Sequence, residues 1–163
     1  SSTIMKFFMN EFKEVMALVF FIPVVMAMGG NTGIQSSTLV IRGLALNTFT
    51  SGDMFKRLLR EIAAGAMMGL ACGLVVGIWA EYLITSGEAA PGTFSAIYLA
   101  LTVGLAMMGA MTFAALFGAV VPILFDRFKI DPAVASGPFV TSSNDIFALL
   151  IYYGVSALLL SMA

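Results

Sequence analysis

Long stretches without a charged side chain constrain the fold of this sequence more than any other feature. Such runs cover residues 15–41, 62–80 and 89–125, and residues 132–163 form a fourth run with a single charged side chain. A helix of about 20 apolar residues crosses the hydrocarbon core of a bilayer. Of the 163 residues, 60% are hydrophobic and 10% are charged, whereas roughly 25% of an ordinary soluble domain is charged. The sequence therefore predicts an all-α integral membrane protein with four transmembrane helices.

A glycine-rich stretch, residues 29–35, lies inside the first apolar run. It has three glycines within five residues, which weakens a helix. Irregular backbone at membrane depth is tolerated only where it is buried in protein or lines an aqueous cavity. We therefore expect a break after the first span, where Asn31 and Gln35 either satisfy the broken backbone or line a cavity. The candidates for lining it are Gly29, Gly30, Asn31, Gly33 and Gln35.

Small residues recur at four-residue spacing in the second and third runs. Residues at this spacing share one face of a helix, and small side chains let two helix backbones approach closely in lipid. We expect the second and third helices to pack as an antiparallel pair through these two stripes. The stripes consist of Gly65, Gly69, Gly73 and Gly77 and of Ala106, Ala110, Ala114 and Gly118.

Basic residues concentrate in two of the connections between the predicted spans. Six of the eight Lys and Arg residues lie there, and an excess of basic residues marks the cytoplasmic side of a membrane protein. Both ends of the chain are then expected outside. Because such a start needs a signal sequence or a preceding helix, we expect a leading transmembrane helix that this sequence does not contain. The six residues are Arg42, Lys56, Arg57, Arg60, Arg127 and Lys129.

Asp145 is the single charged residue of the fourth run. A carboxylate at the centre of a membrane helix costs roughly 3 kcal/mol on insertion scales, so such residues usually face the protein interior or a watery path. Asp145 therefore indicates an ion path, and a hydrogen bond that packs helices is the alternative. Thr141 lies one turn earlier on the same face, where irregularity after Pro138 could leave its main-chain carbonyl free. Asn144 points about 100° away from Asp145 around an ideal helix.

Glu61 and a pair of methionines allow other interpretations. Glu61 either serves as a second acid at the mouth of a path or pairs with Arg57, four residues earlier. Met107 and Met111 are one turn apart and could bind Cu(I) through their thioethers, although packing is the commoner role of methionine. The sequence has one cysteine and no histidine, which excludes histidine metal sites. A further alternative is a membrane assembly subunit whose glycine stripes only mediate association.

Two blocks of residues form specific motifs. The first contains Pro23, residues 29–35, Thr38, Ile41 and Arg42, and the second contains Asp131, Pro132, Ala133, Ser136, Pro138, Asp145 and residues 149–152. Together they resemble the transmembrane domain of MgtE-type magnesium channels and transporters, and the resemblance covers nearly the whole chain. It implies a homodimer that conducts Mg²⁺ along a pore between its subunits, in the inner (plasma) membrane and without an organic cofactor.

The resemblance also implies roles for individual residues. Asp145 from each subunit is expected to hold a hydrated Mg²⁺, and the main chain of Thr141 to help bind its waters. Residues 29–35 match an unwound segment beside the pore, and we add Asn144 to the pore-lining candidates. Family members have five membrane helices and, in many cases, cytoplasmic domains that sense Mg²⁺. We expect residues 1–163 to form one transmembrane cation-transport domain, without the first of the five helices and without a soluble regulatory domain.

The predicted activity is transport of a divalent cation across the lipid bilayer, rather than an enzymatic reaction or nucleic-acid binding. One acid per chain makes a poor divalent site, whereas two acids related by a two-fold axis make a reasonable one. Mg²⁺ suits this arrangement because it dehydrates reluctantly and is usually held by one or two carboxylates with retained waters. An H⁺- or Na⁺-coupled exchanger on the same fold is the main alternative, since paired carboxylates can bind a proton or a cation.

Overall fold

The computed structural model describes residues 16–48, 53–86, 95–135 and 137–162, and nearly all of them are helical. Four long α-helices follow one another, and each is long and apolar enough to cross a membrane. No strand occurs in these ranges. The predicted all-α fold with four transmembrane helices is confirmed. The helices are α1 (Met16–Ala45), α2 (Asp53–Thr85), α3 (Ala96–Arg127) and α4 (Pro138–Leu160), with a short 3₁₀ helix (Pro132–Ala135) before α4.

Helix α3 lies at the centre of the bundle. It packs against each of the other three long helices, α1 and α4 also pack against each other, and α1 touches α2 only sparsely. The largest fully buried side chains include Leu18, Met107 and Tyr152. The hydroxyl of Tyr152 donates a hydrogen bond to the main-chain carbonyl of Leu18 at 3.0 Å. The central helix and this buried core hold α1 and α4 side by side.

The glycine stripe of α2 packs directly against the backbone of α3. A Cβ atom added to Gly73 would lie 2.5 Å from the carbonyl oxygen of Gly104, and one added to Gly69 would lie 2.8 Å from the Cα atom of Met108. Only glycine permits so close an approach. Because the contacts move toward the start of α3 as they advance along α2, the two helices run antiparallel. The predicted pairing of the second and third helices is confirmed.

The small-residue stripe of α3 has a different partner from the one predicted. Ala106, Ala110 and Ala114 are buried, but the glycines of α2 contact another side of α3. Gly118, the last member of the stripe, packs against the carbonyl group of Gly33 on α1. The prediction that the two stripes meet each other is wrong, because the central helix presents small residues to more than one neighbour.

Helix α1 continues without a break through residues 29–35. The prediction of a glycine-rich break after the first span is therefore wrong. A continuous helix satisfies its backbone hydrogen bonds internally, which at membrane depth outweighs a cost of about 1 kcal/mol per glycine. These glycines make room for α4 instead. A Cβ atom on Gly29 would lie 3.2 Å from the Cβ atom of Ala148, and one on Gly33 would overlap the side-chain amide of Asn144.

Asp131, Gly137 and Pro138 determine how the chain passes from α3 to α4. The carboxylate of Asp131 accepts a hydrogen bond from the N–H of Ala133 at 2.9 Å, at the start of the 3₁₀ helix. Gly137 has a left-handed φ of 61°, a conformation that glycine adopts without strain. Pro138 is the first residue of α4, a position where its missing N–H is not needed. This restart places the residues that follow in the first turns of α4.

Candidate ion pathway

Asp145 and Thr141 lie where α4 packs on α1. They are one turn apart on the same face of α4, and both side chains reach Gly30 of α1. A Cβ atom on Gly30 would lie 3.4 Å from Cγ2 of Thr141 and 3.5 Å from Oδ1 of Asp145. Because Gly30 has no side chain, the Asp145 carboxylate has space beside the backbone of α1. The fold brings together three residues that the sequence singles out.

The Asp145 carboxylate is half-buried, and among the residues that the structure describes it has no hydrogen-bond or ion-pair partner. It belongs to a helix of membrane-spanning length, where a charge is costly unless it is paired or hydrated. Asp145 is the only acidic residue in α1 and α4, the two helices that meet here. A cation at Asp145 would therefore receive a single carboxylate from these two helices.

Thr141 offers a main-chain oxygen rather than a free hydroxyl. Its hydroxyl donates to the carbonyl of Gly137 at 2.9 Å, and its N–H donates to the same carbonyl at 3.0 Å. Helix α4 is regular from Pro138 onward, so the expected irregularity after Pro138 is not observed. The Thr141 carbonyl keeps a second lone pair beyond the one used in the helix, and this lone pair can accept a hydrogen bond from water.

One face of α1 carries polar side chains that are exposed on the single chain. Asn31, Gln35 and Thr38 are all exposed, and their spacing of three to four residues places them in one row. They lie within the membrane-length span Leu18–Ala45. Polar groups that face lipid without a partner are costly. This row, which we call the amide face, is therefore suited to contact water or another protein surface and not lipid.

Asn144 points away from Asp145 into the interior of the bundle. It is fully buried and fills the notch left by Gly33. Neither polar atom of its amide has a hydrogen-bond partner in the described ranges. The pore-lining candidates thus divide into two groups. Asn31 and Gln35 are exposed, whereas Gly29, Gly30, Gly33 and Asn144 are buried.

Glu61 forms a second polar cluster, which the sequence reveals only in part. Nη2 of Arg57 lies 2.5 Å from Oε1 of Glu61, which confirms the pairing suggested by their four-residue spacing. The hydroxyl of Ser36 donates a hydrogen bond of 2.5 Å to Oε2. Ser36 was not predicted, because a contact between α1 and α2 has no local signal in the sequence. The only hint is that Ser36 shares a helix face with Gly29 and Gly33.

Comparison with known proteins identifies the family of this chain. A family profile described as MgtE, divalent cation transporter, matches residues 22–155. The chain belongs to the MgtE family. The resemblance noted from the two motif blocks is therefore confirmed. Together with its four helices of membrane-spanning length, membership of this family identifies the chain as a multi-pass protein of the plasma membrane.

Three relatives in the MgtE family are each named magnesium transporter MgtE. The Bacillus subtilis (strain 168) protein is 37% identical over 156 residues, 96% of this chain and 32% of that protein. The Thermus thermophilus protein is 36% identical over 163 residues, 98% of this chain and 33% of that protein. The Enterococcus faecalis protein is 33% identical over 149 residues, 89% of this chain and 30% of that protein. The chain spans about a third of the length of these relatives.

Proposed function

We propose that this MgtE-family chain carries Mg²⁺ across the membrane along a path between two copies, where Asp145 of each copy faces a hydrated cation. One observation carries the proposal. The Asp145 carboxylate lies half-buried in a membrane-length helix, beside Gly30, without a hydrogen-bond or ion-pair partner in the described part of the chain. The choice of ion is supported by the relatives named magnesium transporter MgtE.

The chemistry of Mg²⁺ fits a site with few protein ligands. The ion keeps several waters and is usually bound through one or two carboxylates. One chain supplies a single carboxylate at this place, and a two-fold axis supplies the second. The carbonyl of Thr141, one turn from Asp145, accepts a hydrogen bond from one of the retained waters. Asp145 thus provides the charge, and Thr141 orients the hydration shell.

The amide face supports a path that continues along α1 from the level of Asp145. Gly30, beside Asp145, directly precedes Asn31, and Gln35 and Thr38 follow at one-turn intervals. At 1.5 Å per residue, the row extends about 10 Å along the helix. Amide and hydroxyl groups can exchange hydrogen bonds with the waters of a hydrated cation. A second copy across this face would also shield it from lipid, which supports a homodimer.

The buried candidates have a supporting role in this proposal. Gly29 and Gly33 let α1 lie close to α4, which keeps Gly30 beside the carboxylate. Asn144, about 100° from Asp145 around α4, occupies the notch at Gly33 and so restrains the rotation of α4. These residues set the distance between the two helices, while the path itself is lined by the amide face and Asp145.

Flux of Mg²⁺ into liposomes that contain the purified chain and a trapped Mg²⁺-sensitive dye tests the role of Asp145. Asp145→Asn removes the charge at nearly constant shape. We expect it to lower the flux about tenfold or more, the size of a lost interaction with a charged group. The matched control is Asp126→Asn, an exposed acid near the end of α3, which is expected to change the flux by less than about twofold.

Two outcomes of this experiment would contradict the proposal. Unchanged flux in both Asp145→Asn and Asp145→Ala would remove Asp145 from the path. Absence of flux of any divalent cation through the unsubstituted chain would favour a membrane assembly subunit instead.

Mixed pairs test whether the path is shared between two copies. Unsubstituted and Asp145→Ala chains are co-expressed with two different tags, and complexes that carry both tags are purified and reconstituted. A shared site predicts that mixed pairs transport about as poorly as Asp145→Ala pairs, because one carboxylate is missing from every path. Flux equal to half that of the unsubstituted pair would indicate an independent path in each chain.

A coupled exchanger is the second candidate, favoured by the same unpartnered carboxylate. Two nearby carboxylates resist simultaneous ionisation unless a cation lies between them, so protons could replace Mg²⁺ during each cycle. Liposomes with a pH dye inside distinguish the mechanisms. A pH change that is driven by a Mg²⁺ gradient and lost in Asp145→Asn would indicate exchange, and Mg²⁺ flux without a pH change would indicate a channel.

A further inference from the structure

Glu61 of α2 is a buried acid that the proposed path does not use. Its side chain is 5% exposed, and both carboxylate oxygens are engaged, one by Arg57 and the other by Ser36, each at 2.5 Å. A buried charge is tolerated only when it is paired and hydrogen-bonded. Because Arg57 already neutralises Glu61 and both oxygens have donors, the acid is poorly suited to bind the transported cation.

The hydrogen bond from Ser36 to Glu61 joins two helices that otherwise touch little. Ser36 follows Gly33 by three residues, and Gly33 is held between Asn144 of α4 and Gly118 of α3. This segment of α1 therefore contacts α3 and α4 at Gly33 and is hydrogen-bonded to α2 at Ser36. Rotation of this segment about its axis is restrained from all three sides.

The same segment of α1 carries the amide face on its exposed side. Gln35 directly precedes Ser36, and the two differ by about 100° around the helix. Ser36 is buried, whereas Gln35 is exposed. A rotation of α1 that moved Ser36 away from Glu61 would turn Gln35 and Asn31 by the same angle. The hydrogen bond of Ser36 to Glu61 is therefore one of the contacts that set the direction of the amide face.

We infer that Glu61 is a positioning residue for the ion path. Its hydrogen bond to Ser36 fixes the rotation of α1 so that Asn31 and Gln35 face the path, and Arg57 compensates its charge. The inference rests on the proposed function, and it assigns Glu61 no contact with the transported cation.

Ser36→Ala tests the positioning role without breaking the Arg57–Glu61 ion pair of α2, because it removes only the Ser36 hydroxyl. We expect this variant to lower the maximal Mg²⁺ flux in liposomes by about 2- to 30-fold, with KM little changed because Asp145 is unaltered. Ser36→Thr keeps the hydroxyl and is expected to restore the flux. The matched control is Thr102→Val, which removes a buried hydroxyl that bonds at 2.8 Å to a carbonyl of its own helix. Equal fluxes for Ser36→Ala and Thr102→Val would overturn the inference.

Two double variants test Glu61 itself. Arg57→Gln with Glu61→Gln removes both charges but keeps an acceptor for Ser36, so we expect most of the flux to remain. Arg57→Gln with Glu61→Leu removes the acceptor as well, so we expect it to behave like Ser36→Ala. An equally large loss of flux in both double variants would show that the charges, and not the bond to Ser36, matter, and would contradict the inference.

Labelling of a cysteine at position 35 provides a readout that does not require transport. Gln35→Cys is placed in a Cys72→Ser background and treated with a water-soluble thiol reagent. We expect Ser36→Ala to change the labelling rate by about threefold or more, and Thr102→Val to leave it unchanged. A labelling rate that is insensitive to Ser36 would overturn the inference.

The two readouts distinguish failure of the inference from failure of the proposed function. If flux requires Asp145 but neither flux nor labelling responds to Ser36, the positioning role of Glu61 is wrong and the proposed path stands. If labelling responds to Ser36 while Asp145→Asn leaves flux unchanged, the restraint on α1 is supported and the proposed path is wrong.

Discussion

Replacement of Gly33 by alanine tests the close contact between α1 and α4. A Cβ atom at Gly33 would overlap the side-chain amide of Asn144 and would lie 3.3 Å from the carbonyl oxygen of Ala114. Asn144 is fully buried, so its amide cannot turn into solvent to relieve the overlap. Alanine therefore either pushes α1 away from α4 or forces Asn144 into a strained rotamer.

Two opposing effects determine how much Gly33→Ala changes the free energy of unfolding. An extra methyl group in a well-packed interior costs about 1–3 kcal/mol, which includes the side-chain and backbone strain that it causes. Alanine in place of glycine within a helix returns about 1 kcal/mol. The net loss in the free energy of unfolding is therefore up to about 2 kcal/mol, and the direct overlap with Asn144 places Gly33→Ala in the upper part of this range. The overlap outweighs the gain in helix propensity.

Thermal unfolding of the purified chain in detergent measures this loss, and Gly154→Ala is the matched control. A Cβ atom at Gly154 meets nothing within 4 Å, so only the helix propensity changes and stability is expected to hold or rise. The double variant Gly33→Ala with Asn144→Ala removes the overlapping amide and is expected to regain part of the lost stability. If Gly33→Ala proves as stable as Gly154→Ala, the close contact of α1 with α4 does not exist as described.

Two other contacts give further predictions. Gly73→Ala would place a Cβ atom 2.5 Å from the backbone carbonyl oxygen of Gly104, which cannot turn aside. The free energy of unfolding is expected to fall by up to about 2 kcal/mol, the cost of overpacking less the gain in helix propensity. Thermal unfolding checks this, and a stability matching Gly154→Ala would contradict it. Tyr152→Phe removes a hydroxyl that donates to Leu18 at 3.0 Å and is expected to cost about 1 kcal/mol of stability. Its KM for Mg²⁺ should stay unchanged, and a raised KM would instead place Tyr152 on the path.

The four helices and the Asp145 neighbourhood can be predicted from the sequence for simple physical reasons. A helix satisfies its own backbone in lipid, so long apolar runs are sufficient to locate the spans. Spacing of four residues places Thr141 beside Asp145, and Arg57 beside Glu61, whatever the rest of the bundle does. These features depend only on the geometry of one helix.

The role of the glycine-rich stretch cannot be predicted in the same way. Lack of a Cβ atom both weakens a helix and permits close packing. Which of these two effects applies at Gly29 and Gly33 depends on where α3 and α4 lie. In this fold both glycines allow close packing, and α1 stays continuous. The bond between Ser36 and Glu61 joins residues 25 positions apart on different helices, so no spacing rule reports it.

The backbone contact between α2 and α3 has a consequence for how the bundle assembles. The two helices are consecutive in the chain, and their facing surfaces are complete without α1 or α4. We expect them to form a helical hairpin in the membrane as soon as both have been inserted, since contacts that are close in sequence form early. Helix α4 follows the other three helices in the chain and packs on the side of α3 that α2 leaves free. The arrival of α4 beside α1 is the step that creates the surroundings of Asp145.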